Sequence, residues 1–159
     1  MDKEIESNKI LILGIGNYLM GDEGVGVHVI KSLDNKSFPE NVTLLDGGTG
    51  GFHLLSYFQE YPKIIMIDAT MDGSPAGTIK IITPKFASDF PSALSAHDIG
   101  LKDMIESMHL LGNMPKIYLI TVSITEIKSM VMELSEDVKK SISEVIEKIN
   151  ELLQIDFAK

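Results

Sequence analysis

Cysteine is absent from the chain, which excludes disulfide scaffolding, thiolate zinc sites and a cysteine nucleophile. Any metal must therefore be held by His, Asp or Glu. Long apolar runs are absent as well. The most continuous one lies around Ile10–Leu13, far short of the ~20 residues that cross a bilayer. Met1–Asn8 is acidic and polar and lacks the basic and apolar parts of a secretory signal, so a cytoplasmic location is expected. Positive charge is scarce: 14 basic residues against 23 acidic ones leave a formal charge of −9. Phosphate backbones and anionic lipid select basic surface, so neither nucleic acid nor a membrane is an expected partner. No internal repeat, linker or low-complexity tract interrupts the chain.

What remains is the composition of one globular domain over residues 1–159, with 44% hydrophobic and 23% charged residues. The nine methionines read as core filler rather than as ligands. Lys9–Leu13 reads as a buried strand that enters a tight loop at Gly14-Ile15-Gly16. Gly26, Val29, Ile30 and Leu33 then fall on one helical face. Val42–Leu45 is a second strand, stopped by the run from Asp46 to Gly51, and Leu54, Leu55 and Phe58 mark a short helix. Ile64–Ile67 is a third strand ending at Asp68, and the alternation over Thr78–Ile82 suits an edge strand. Thr83–His97, with Pro84 and Pro91, has no period and reads as a loop. Leu101, Met104, Ile105 and Met108 restore helical spacing, Ile117–Val122 is a further strand, and Val138 to Leu153 carries a long apolar stripe. Ser135 is placed to cap that last helix, with Glu136 and Asp137 in its first turn.

Apolar strands alternating with helices imply an α/β fold: three layers, with a mostly parallel twisted sheet of about five strands and helices on both faces. In such sheets ligands bind beyond the carboxyl ends of the strands. Three loops converge there, at Gly14–Glu23, Asp46–Gly51 and Asp68–Ala69.

The first loop, GIGNYLMGDEGVG over 14–26, resembles a dinucleotide fingerprint but has Leu19 where the third glycine belongs. Asp22 and Glu23 precede a helix, where they would repel a phosphate and suit a cation. The plainer alternative is that Asp22 caps that helix and Glu23 is a solvated first-turn acid. Asp46 is equally compatible with a glycine-rich turn in which it bonds its own backbone. Asp68, after four apolar residues, needs a compensating partner if it is ionised. His28, His53 and His109 read as structural or exposed, whereas His97 follows a long loop that can carry it over the strand rim. One imidazole and two carboxylates form a ligand set for a divalent transition metal, although spacing alone does not show that they meet. Neither G-x-S-x-G nor H-E-x-x-H is present.

Five ordered blocks, GIGNYLMGDEGVGVHV at 14–29, LDGGTGG at 45–51, IIMIDA at 64–69, PAGT at 75–78 and SAHDIGL at 95–101, together resemble the hydrogenase maturation endopeptidases. The resemblance implies that Glu23, Asp68 and His97 bind metal and that Asp46 takes part in activity. It also implies a substrate, the nickel-loaded precursor of a nickel–iron hydrogenase large subunit, from which a C-terminal extension is removed. The nickel then belongs to the substrate, and Asp46 or Asp68 serves as general base toward water. A monomer is expected. Thr121–Thr125 lacks the glycine and proline common in the family, and Phe86–Leu94 matches poorly. A nucleotide-binding α/β domain and a non-catalytic, metal-dependent chaperone remain as alternatives.

Overall fold

A computed structural model describes residues 8–49, 51–91 and 99–155. The polar start of the chain, most of the SAHDIGL block and His97 itself lie outside the described residues. The elements are β1 (Ile10–Gly14), α1 (Val25–Ser32), β2 (Val42–Asp46), α2 (Leu55–Glu60), β3 (Lys63–Thr70), β4 (Ile79–Ile82), α3 (Ile99–Leu111), β5 (Lys116–Ser123) and α4 (Glu136–Ile155).

The five strands form one sheet in the order β2-β1-β3-β5-β4. Every neighbouring pair is parallel except β4 against β5, where Ile79 sits opposite Val122 in an antiparallel edge. Period-two alternation divides the core. Ile10, Ile12, Ile65 and Ile67 face Val25, Val29, Val138, Val145 and Ile149 of α1 and α4. Leu11, Leu13, Ile64 and Met66 face Leu54, Phe58, Met104, Ile105 and Met108, from the α2 and α3 side. Strands apolar on both faces thus sit between two helical layers, as a parallel sheet requires. Each such side chain contributes roughly 1.5–3 kcal/mol by leaving water. No helix among the described residues is long and apolar enough to cross a membrane.

The third strand is longer than its apolar run. Asp68, Ala69 and Thr70 continue the ladder opposite Thr121, Val122 and Ser123, so Asp68 lies inside β3 rather than at its end. Pairing partners on β5 carry the strand past the point where hydrophobicity stops. From β1 the chain turns to β2 on one side and then to β3 on the other. The carboxyl ends of β1 and β3 therefore flank the topological switch point, where open α/β sheets form their crevice.

Candidate functional site

Backbone hydrogen bonds tie the loops of this rim together. Gly47 N–H donates to Gly14 O at 2.8 Å, Gly16 N–H to Gly48 O at 2.7 Å, and Ile15 N–H to Ile67 O at 3.0 Å. The loops after β1 and β2 are thus held to each other and to the residue preceding Asp68.

Close packing at glycines makes this possible. A Cβ on Gly26 would stand 2.3 Å from Ile67 O and 2.5 Å from Ile15 O, so the first turn of α1 presses its backbone onto β3. Gly16, at φ +146°, would place a Cβ 2.2 Å from Glu23 O. That contact folds the loop back on itself.

Glu23 lies in a single 3₁₀ turn, Gly21–Gly24, which packs against β3. It is 1% exposed, and Asp68 is 0% exposed. Asp68 Oδ1 accepts from the N–H of Ala69 at 2.8 Å. Burial overturns the reading of Glu23 as a solvated acid. Asp46 is exposed at the end of β2, and its Oδ1 accepts from Gly48 N–H at 2.9 Å, the turn foreseen from the glycine-rich run.

Asp22 does not cap α1, whose N-terminus carries no side-chain cap. It reaches across to the start of the last helix instead. Its Oδ1 accepts from Ser135 N–H and its Oδ2 from Ser135 Oγ–H, each at 2.7 Å. Ser135 holds the cap position, since its carbonyl accepts from Lys139 N–H at 2.8 Å, but its hydroxyl is directed to Asp22. Reading the sequence missed this pair because 113 positions separate the partners and no local pattern links them.

The other histidines behave as expected. His28 lies against Tyr18 with tilted rings whose centroids are 4.6 Å apart, and burial lowers its pKa. His53 is exposed, and His109 meets the edge of Phe86. Among the described residues no three His, Asp or Glu side chains gather into a metal cage. The structure brings two of the three expected ligands, Glu23 and Asp68, to the same end of the sheet, and His97 lies outside the described residues. Two acids buried at one rim are costly unless cations or hydrogen-bond donors compensate them, and their oxygen donors suit a divalent ion.

Fold and rim together define a doubly wound α/β domain that carries acids where a nucleotide-binding member would carry a phosphate cradle. The chain belongs to the hydrogenase maturation protease family, whose model matches residues 27–152. It is 38% identical over 119 residues to the hydrogenase expression/formation protein HupD of Bradyrhizobium diazoefficiens, a match covering 73% of this chain and 62% of that protein. To HoxM of Azotobacter vinelandii it is 37% identical over 134 residues, covering 82% and 65%. The chain spans less than two thirds of the length of either relative. The hydrogenase maturating endopeptidase HybD from Escherichia coli superposes with a TM-score of 0.82 at 30% identity, covering 92% of each chain.

Proposed function

We propose that this chain is an endopeptidase that acts in the cytoplasm as a monomer on the nickel-loaded precursor of a nickel–iron hydrogenase large subunit, removing its C-terminal extension. One observation carries the reading. Glu23 and Asp68, distant in sequence, are both buried at the switch point of the sheet in a chain of this family. Glu23, Asp68 and His97 complete the coordination of the substrate's nickel, which places the scissile bond beside a cation.

Asp46 is the better candidate for the base. Asp68 is wholly buried and assigned to the metal, whereas Asp46 is exposed on the loop bonded to the first. In this scheme water attacks the peptide carbonyl while the Asp46 carboxylate takes its proton. The tetrahedral intermediate then expels the amine, which receives that proton as the C–N bond breaks. The nearby cation stabilises the developing oxyanion.

Incubating the purified chain with nickel-loaded precursor and following the precursor's mass tests this. Wild type should remove the extension. Glu23→Gln, Asp68→Asn and His97→Ala should each slow removal by about 10²-fold or more, and Asp46→Asn should lower kcat by about 10²–10⁴-fold with KM little changed. A precursor that is bound but stays intact with wild type would make the chain a metal-dependent binding module instead.

A further inference from the structure

The buried Asp22 has no part in the scheme above, although it adjoins Glu23 and is only 6% exposed. Successive residues of a 3₁₀ turn point about 120° apart, since the turn has 3.0 residues. Neighbouring side chains of the Gly21–Gly24 turn therefore serve different directions. Asp22 grips Ser135 at the head of α4, while the turn itself packs against β3.

The grip does not stand alone. Gly21 N–H donates to Val131 O at 2.6 Å and Val131 N–H to Leu19 O at 3.0 Å, so Leu19–Asp22 is stitched along the segment that leads into α4. That helix is a rigid anchor. Val138, Val145 and Ile149 are fully buried in the core shared with β1 and β3. The Asp22 carboxylate also lies at the positive end of a 20-residue helix, where negative charge is favoured. A short, glycine-flanked turn is thus fixed from outside at the residue before Glu23.

We propose that Asp22 is a positioning residue: by holding Ser135, it fixes the turn that presents Glu23 to the substrate. This rests on the reading of Glu23 as a ligand of the substrate's metal. Loosening the clamp leaves Glu23 in place chemically but spreads its position, which weakens its hold on the substrate's metal equally in the ground state and the transition state. The loss falls on substrate grip. A merely structural role would instead reduce the fraction of folded enzyme, lowering apparent kcat at unchanged KM.

The test uses full-length wild type, Ser135→Ala, Ser135→Thr and Asp22→Ala, each assayed for kcat and KM on nickel-loaded precursor, with thermal midpoints measured in parallel. Ser135→Ala removes one of the two bonds and should raise KM about ten-fold with kcat within about two-fold of wild type. Asp22→Ala removes both bonds and should raise KM further, while Ser135→Thr, which keeps the hydroxyl, should restore the wild-type value. If Asp22→Ala does not fold, the Ser135 pair decides. Wild-type KM in Ser135→Ala, or a fall in kcat alone, overturns the positioning role while leaving the protease reading intact. Failure of the wild-type chain to cut overturns that reading, and this proposal with it.

Discussion

Asp72 closes the turn that follows β3 and binds three elements at once. Its Oδ2 accepts from Lys80 Nζ at 2.9 Å, and its Oδ1 accepts from Ser123 Oγ–H at 2.9 Å and Ser74 N–H at 3.0 Å. The Lys80 hydrogen bond, followed by that from the Ser74 backbone, holds its carboxyl well below the usual carboxylate range. A carboxyl with a depressed folded pKa stabilises the fold above its unfolded value near 4, and that contribution fades as pH falls through the folded value. The side chain keeps 20% of its surface in water, which limits the effect to that of a screened surface pair. Asp72→Asn should therefore cost about 1 kcal/mol or less at pH 7, read from urea midpoints, and the gap to wild type should narrow below pH ~4. A gap that widens on acidification would refute the assignment. Asp22 has a comparable set of bonds but serves a different end. Both of its partners belong to one distant serine, which is why local pattern, offering only a cation or a cap on the following helix, did not reveal them.

At the scale of elements, Gly26 shows how a single missing side chain joins a helix to a strand. In an exposed helix interior, replacing glycine by alanine gains about 1 kcal/mol. Here the added methyl would meet two backbone carbonyl oxygens, Ile67 O and Ile15 O, at 2.3 and 2.5 Å, and neither can swing aside as a flexible side chain would. Gly26→Ala should therefore destabilise by about 3 kcal/mol or more and displace α1 from the strand that bears Asp68. Chemical denaturation gives the sign directly, and a stabilised variant would sink this account of the contact. Periodicity made the elements legible. The continuous apolar runs of β1 and β3 reflect two faces turned toward two cores, and the stripe of α4 reflects one face turned toward one of them. Boundaries followed less well. β3 outruns its apolar segment because β5 supplies partners through Ser123, a fact held by another strand rather than by the residues themselves. The glycine contacts were similarly hidden, since a glycine's spacing does not reveal which backbone it meets.

Over the whole molecule, the sheet serves as a wall between two apolar cores, and the buried acids Glu23 and Asp68 lie at the rim formed by the carboxyl ends of β1 and β3. Convergence of the loops after β1 and β2 on that rim was readable from the order of elements, because parallel strands bring every following loop to one edge, whereas Asp68–Ala69, expected as a third loop, lies within β3. Which acids would be buried there was not readable, since burial depends on the fold of the Gly21–Gly24 turn against β3. The architecture bears on how the proposed reaction would discriminate among substrates. Three protein ligands leave coordination positions of a divalent ion open. In the proposed scheme those positions are filled by the precursor, so the bond between protease and substrate runs through the metal. Precursor stripped of nickel should accordingly be cut at least about 10²-fold more slowly than loaded precursor. Free nickel given to the protease before mixing should not restore the rate, because the ion must sit in the substrate to bring the scissile bond alongside Asp46. Mass analysis of the precursor at timed intervals distinguishes the outcomes. Equal cutting of stripped and loaded precursor would remove nickel from recognition and return Glu23 and Asp68 to a structural role, even with the peptidase activity intact.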